Sequence, residues 1–176
     1  MDAKRALEAA DGDMAKAVTE LRKLGQKIAA KKSDRHVKEG VIGSYVHANK
    51  KVAAIVTLAC ETDFVARTED FQTLAKEIAM HVAAMNPTHL KPEDIPADVI
   101  AQEEEIYRQQ LKSEGKPEAM WPKILPGKLK KFYADTCLID QVYIKDDTQT
   151  IRDLLTAATT KLGENIQVIA FHRLAL

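Results

Sequence analysis

Residues 41–60, VIGSYVHANKKVAAIVTLAC, run straight into residues 61–70, ETDFVARTED, and the reading of these two segments decides the fold. From Val41 the sequence reads with a period of two, and VIGSYVH and KVAAIVTLA flank the short stretch His47-Ala48-Asn49-Lys50. That spacing predicts an antiparallel hairpin. In its second strand both alternating sets (Val52, Ala54, Val56, Leu58 and Ala53, Ile55, Thr57, Ala59) are largely apolar, the pattern of a central strand covered on both faces. Past Cys60 the period changes. Thr68 offers a hydroxyl cap with Glu69 and Asp70 near the positive end of a helix dipole. Phe71, Leu74, Ala75, Ile78, Val82 and Met85 then share one helical stripe. Met80, His81 and Ala84 fall on a different side, a second face able to receive a partner or another helix. Phe64 stands at the junction between strand and helix, where a large ring either plugs the local core or leaves it to grip something else. Periodicity alone favours the core, because Phe71 and Leu74 follow and could cover the ring.

Working outward, residues 1–25 carry two short amphipathic patterns. Ala3, Ala6, Leu7 and Ala10 form one stripe, Asp11-Gly12-Asp13 a turn, and Ala17, Val18, Leu21 and Leu24 a second stripe that Gly25 is expected to end. Two such helices cannot surround a core by themselves, so an element that should pack here is missing. Residues 26–39 read as a Lys-rich helical tail fading into a linker. Beyond the central helix lies a Pro-containing connection (86–96), a helix over 97–114 and a further helical pattern over 118–134. Pro122 and Pro126 are expected to interrupt that pattern. Residues 138–144 read as extended, 150–162 as helical and 166–174 as extended, with Gly163-Glu164-Asn165 a turn. Strands at both ends with helices between them predict an α+β fold, a small antiparallel sheet packed with helices and preceded by an incomplete helical domain.

With 176 residues the chain accommodates one good core and a small appendage. Lys plus Arg and Asp plus Glu both total 26, so the formal net charge is zero, whereas a phosphate-neutralising nucleic-acid binder normally shows a basic surplus. The one basic cluster, Lys27, Lys31, Lys32, Arg35 and Lys38, reads as a solvated linker face. The expectation is no nucleic acid. Cys60 and Cys137, two cysteines in all, make no disulfide framework and fall short of a structural zinc set. No apolar run approaches the roughly 20 residues of a membrane span, and no signal-peptide core stands at the start. A cytoplasmic protein with no membrane partner and no cofactor is the expectation. Phosphate-cradle, nucleophile-elbow, zincin and CxxC motifs are absent, and the five histidines are scattered. Cys60 as an enzymatic nucleophile, and residues 1–25 as a generic interaction module, are the competing readings. Glu61 and Asp63 alternate along the extended segment and could share a face, for capping or for acid-base work.

MDAKRALEAADGDMAKAVTELRKLG, then EGVIGSYVHANKKVAAIVTLACETDFVARTEDFQTLAKEIAMHVAAMNP, and later GKLKKFYADTCLIDQVYIKDD and GENIQVIAFHRL together resemble bacterial elongation factor Ts over nearly the whole chain. TDFVA with IAMHVAA in register behind it is the most specific part. The resemblance implies a ubiquitin-associated-like domain, incomplete here, over 1–26, a Lys-rich linker over 27–39 and a core (dimerisation) domain over 40–176. It also implies a guanine-nucleotide exchange factor, acting by binding and not by catalysis, whose partner is elongation factor Tu. Asp63 and Phe64, flanked by Thr62 and Val65, correspond to residues that enter the nucleotide-binding domain of Tu near its magnesium and phosphate site. Met80 and His81 belong to the surface facing another Tu domain, and Lys4 to the N-terminal contact. The chain resembles the short form of the family, with one copy of the core module, which pairs as a homodimer. Two departures stand out: the family's first helix and TGAGM-type turn, which precede the residues matching Met1 and Asp2, are missing, so the start reads as truncated. The stretch WPKILPGKLKKF puts Pro126-Gly127-Lys128 where the family usually continues a helix, so a kink is expected there.

Overall fold

The computed structural model describes residues 2–176; the start at Met1, read as truncated, lies outside the described residues. In chain order the elements are α1 (Asp2–Ala9), α2 (Met14–Lys32), β1 (Glu39–Val46), β2 (Val52–Cys60), α3 (Asp63–Ala66), α4 (Glu69–Met85), α5 (Ala97–Ser113), α6 (Trp121–Thr136), β3 (Val142–Tyr143), β4 (Asp146–Thr150), α7 (Ile151–Leu162) and β5 (Gln167–Ala175). The fold is α+β with a small antiparallel sheet, as the pattern predicts. The chain forms two compact units, one of the residues up to Ala83 together with Arg152–Leu176, the other of Ala84–Ile151.

In the first unit the hairpin forms as expected, with Val46 opposite Ala53 and Glu39 opposite Cys60. β5 adds antiparallel to β2, giving the order β1-β2-β5, so β2 is central. Its inward set, Ala54, Val56 and Leu58, is buried, and Phe71, Leu74, Ala75, Ile78, Ala79 and Val82 of α4 are buried with it. A methyl group at Gly43 would stand 2.4 Å from the carbonyl carbon of Ala75, so a residue without a side chain lets β1 lie directly on α4. The second face of the central strand is buried only at its Ala59 end, which corrects the expectation of burial along both faces. The opposite set carries Ile42 (70% exposed), Val46, Ile55 (45% exposed) and Leu174, all open to solvent. A sheet strand alternates its side chains, and here the second set of the central strand is open at Ile55, half-buried at Ala53 and Thr57 and buried at Ala59.

α1 and α2 pack against each other. Ala6, Ala10 and Ala17 pack together with Leu21 partly buried against them, while Leu7, Met14, Val18 and Leu24 stay exposed. Asp13 caps α2, accepting from the backbone N–H of Ala15 and Lys16 at 3.0 and 3.1 Å. Gly25 does not end α2. It is buried inside the helix, where an added methyl would touch Thr160 and Thr156 of α7 at 3.4 and 3.5 Å, so this glycine serves close helix packing and costs helix propensity instead of stopping it. The end of α2 is tied down as well: Lys32 donates to the carbonyl of Gly163, and Arg35 lies 3.5 Å from Glu61. Two of the five basic residues of this segment are thus engaged within the chain.

The second unit is built on the pair α5 and α6. The Lys128 ammonium lies 5.5 Å from the centre of the Tyr107 ring and donates to Gln110 at 3.2 Å. The predicted interruption of α6 does not occur. Pro122 sits in the first turn, where no backbone donor is required, and α6 runs on through Pro126 at the cost of one hydrogen bond. Residues 138–144 are not a continuous strand either; a 3₁₀ turn, Leu138–Asp140, precedes the two-residue β3, which pairs with β4. Among the described residues no helix is long and apolar enough to cross a membrane.

Candidate functional site

The turn after β2 is one helical turn long and is held at several points. Thr62 is its N-cap, in extended conformation, with its hydroxyl 3.5 Å from the N–H of Val65. Arg67 closes the turn twice, through its N–H to the carbonyl of Asp63 at 3.1 Å and through its guanidinium to the Asp63 carboxylate at 2.9 Å. Thr68 then caps α4 as its position predicts: its hydroxyl accepts from the N–H of Phe71 at 3.3 Å and donates to the carbonyl of Val65 at 2.7 Å. Within this turn Ala66 faces inward and is buried, and Val65 is half-buried. Phe64 is 80% exposed. The ring therefore leaves the core, against what periodicity alone favours, and Phe71 supplies the buried aromatic in its place. Burying such a ring is worth about 1.5–3 kcal/mol, so a phenylalanine held in water on a pinned turn is a stored capacity for binding.

The carboxylates beside Phe64 are engaged in structure. Glu61 accepts from the N–H of Asn165 at 2.7 Å and faces Arg35, and Asp63 pairs with Arg67. Cys60 is fully buried, its thiol donating to the carbonyl of Thr62 at 3.2 Å. Burial above all, and the negative charges of Glu164 and Glu39 in addition, push that thiol up from its ordinary value. An activated nucleophilic cysteine needs the opposite shift, which weighs against the thiol-enzyme reading. Among the described residues no group of His, Cys, Asp and Glu could hold a metal ion.

The remaining predicted residues lie elsewhere. Met80 and His81 sit roughly 16 Å along α4 from its start. Met80 is half-buried, but His81, expected on a surface, is completely buried. Met85, expected inside, is exposed near the helix end. Lys4 is exposed on α1 and pairs with Glu8 at 3.7 Å. The structure thus brings Thr62, Asp63, Phe64 and Val65 into one turn and leaves Lys4 on a separate element.

Two residues of the site escaped sequence reasoning, which saw only a turn at 163–165. The Glu164 carboxylate accepts from the N–H of Glu61 and of Thr62, both at 3.0 Å, and from the Thr62 hydroxyl at 2.6 Å. Asn165, which is buried where Glu164 is half-buried, donates through its side chain to the carbonyls of Ser33 and Arg35 at 3.1 and 2.8 Å. No local pattern marks such roles, since the partners stand about a hundred residues apart.

A sheet of order β1-β2-β5 with a capped turn projecting an exposed aromatic ring from the end of its central strand defines an α+β protein. A family model described as Elongation factor TS matches residues 2–176. Elongation factor Ts of Thermosipho melanesiensis is 53% identical over 171 residues, covering 97% of this chain and 87% of that protein. The Fervidobacterium nodosum protein of the same name is 52% identical over all of this chain and 89% of its own length, and that of Anaeromyxobacter dehalogenans 51% over all of this chain and 80% of its own. The chain belongs to the elongation factor Ts family, a family of translation elongation factors.

Proposed function

We propose that this chain is a guanine-nucleotide exchange factor that binds elongation factor Tu and promotes GDP release, with Asp63 and Phe64 inserted near the magnesium and phosphate site of Tu. The observation that carries the reading is the 80% exposure of Phe64 on a turn fixed at both ends, in a member of this family. Such a factor does no covalent chemistry and needs no cofactor. It binds nucleotide-free Tu better than the nucleotide-bound form, and by linkage the nucleotide is then held more weakly by the same factor. Shifting an equilibrium from 1:99 to 99:1 takes about 5.5 kcal/mol, and one phenylalanine supplies roughly 1.5–3 of it. The balance comes from a wider contact of ordinary size, with Thr62 and Val65 around the ring, Met80 on α4 and Lys4 on α1. His81, being buried, acts in this scheme by setting the surface that Met80 presents.

The proposed setting is the cytoplasm, and the proposed assembly is a homodimer without nucleic acid or membrane. The open face of the sheet supports the pairing: Ile42, Val46, Ile55 and Leu174 form an apolar surface that a second copy would cover sheet to sheet. Residues 1–26 are proposed as the ubiquitin-associated-like domain, 27–39 as its linker and 40–176 as the core domain.

The test is release of a fluorescent GDP analogue from Tu, measured with and without the protein. Acceleration by the wild type that is lost in Phe64→Ala supports the reading. No acceleration, or full acceleration by Phe64→Ala with loss in Cys60→Ser, overturns it.

A further inference from the structure

We infer that Glu164 is the positioning residue of the Phe64 turn, resting on the reading of Phe64 as a contact residue. β2 ends at Cys60, and the two residues linking it to α3, Glu61 and Thr62, have backbone N–H groups that no strand partner takes. Glu164 accepts both on one carboxylate oxygen, each at 3.0 Å, and takes the Thr62 hydroxyl on the other at 2.6 Å. A threonine hydroxyl has one proton to give. With that proton committed to Glu164, the hydroxyl lone pairs turn toward the N–H of Val65, so the carboxylate fixes the cap that starts α3 and hence the direction in which Phe64 projects.

The anchor is itself fixed. α7 is closed by Gly163, the residue after its last, whose φ of 79° is the left-handed conformation that ends a helix, and its N–H donates to the carbonyl of Thr159 at 3.1 Å. The Gly163 carbonyl accepts from Lys32, and the next residue but one, Asn165, binds the carbonyls of Ser33 and Arg35 while its own N–H donates to Glu61. Glu164 therefore stands between a helix end, the segment after α2 and the turn, with a charge-assisted hydrogen bond to each of three donors in that turn. A wedge on such a support loses little entropy on docking, which raises what its burial contributes.

The test uses the full chain with Glu164→Ala and the conservative Glu164→Gln, whose amide oxygen still accepts the two backbone bonds. Two readouts separate positioning from general support. Amide hydrogen exchange, which needs no partner, should quicken at least 10-fold at Thr62, Val65 and Arg67 in Glu164→Ala, remain unchanged at Leu58 in β2, and in Glu164→Gln be restored at Thr62 but not at Val65, because the amide that keeps the two backbone bonds presents a donor, not an acceptor, to the Thr62 hydroxyl. GDP release from Tu at saturating factor should fall about 10-fold in Glu164→Ala with the half-saturating concentration changed less than 3-fold, and adding Glu164→Ala to Phe64→Ala should cost nothing further. Unchanged exchange at Thr62 and Val65 overturns the inference, and so does an equal loss of release in the presence and absence of the Phe64 ring. If the wild type does not accelerate release but the exchange result holds, the exchange-factor reading falls and the positioning of Phe64 by Glu164 stands.

Discussion

Gly43 of β1 lies so close to Ala75 of α4 that a methyl group added to it would sit 2.4 Å from both the carbonyl carbon and the carbonyl oxygen of Ala75. Those atoms are backbone and cannot rotate aside. Gly43→Ala is therefore expected to destabilise the protein by at least about 2 kcal/mol, through overpacking and not through lost flexibility. Urea unfolding checks this: the midpoint falls while the slope is kept.

Phe64→Ala should separate stability from function. With its ring in water, removal should change unfolding free energy by no more than about 0.5 kcal/mol. The same change should slow Tu-bound GDP release roughly 10- to 150-fold relative to the wild type, the burial value of one phenylalanine expressed as a rate. A large loss of stability would place the ring in the core after all.

Ile55→Lys puts a charge on the open face of the central strand, opposite His172. Since Ile55 is 45% exposed, the fold should tolerate the change. Sedimentation should show the wild type as a dimer and the variant as a monomer; a wild-type monomer at micromolar concentration would count against the proposed pairing.

Pro126 occupies the interior of α6 and withholds one backbone donor. Pro126→Ala restores it and should stabilise the unit of Ala84–Ile151 by about 1–3 kcal/mol, read as slower amide exchange along α6. Unchanged exchange there would mean that neighbouring packing already offsets the proline.

Cys60 and Cys137 are both buried, and burial raises each thiol above its ordinary value of 9.0. The folded state keeps the proton that the unfolded chain gives up, so their contribution to stability is complete below pH 9 and is lost as pH rises through the folded values. Urea unfolding between pH 8 and pH 10.5 should show a decline in the wild type that is smaller in Cys60→Ala/Cys137→Ala. An identical decline in both proteins would mean that other groups set it.

Much of this was legible in the sequence because the signals are local. Alternation in 41–60 reports the hairpin, and the hydroxyl of Thr68 followed by acidic residues reports the start of α4. Gly25 and Pro126 misled for one shared reason: helix propensity is a weak force beside packing, and both lie in helices that continue through them. The burial of His81 and the opening of Ile55 depend on what covers each face, which periodicity does not carry. Family resemblance, and not spacing, turned Phe64 outward. Glu164 was invisible because its partners are brought to it only by the pairing of β2 with β5.

That pairing also sets an order of events as the chain folds. β1 and β2 close across a short turn, but Thr62 and Glu164 meet across 102 positions, an encounter whose chain entropy alone amounts to about 4 kcal/mol. The hairpin is thus the early partner and β5 the late one. Any collapse of Ala84–Ile151 beforehand shortens the effective loop and hastens the closure. Until β5 docks, the Phe64 turn lacks the carboxylate that aims it, so a half-folded chain would expose the ring without yet holding it in a shape that another protein could use.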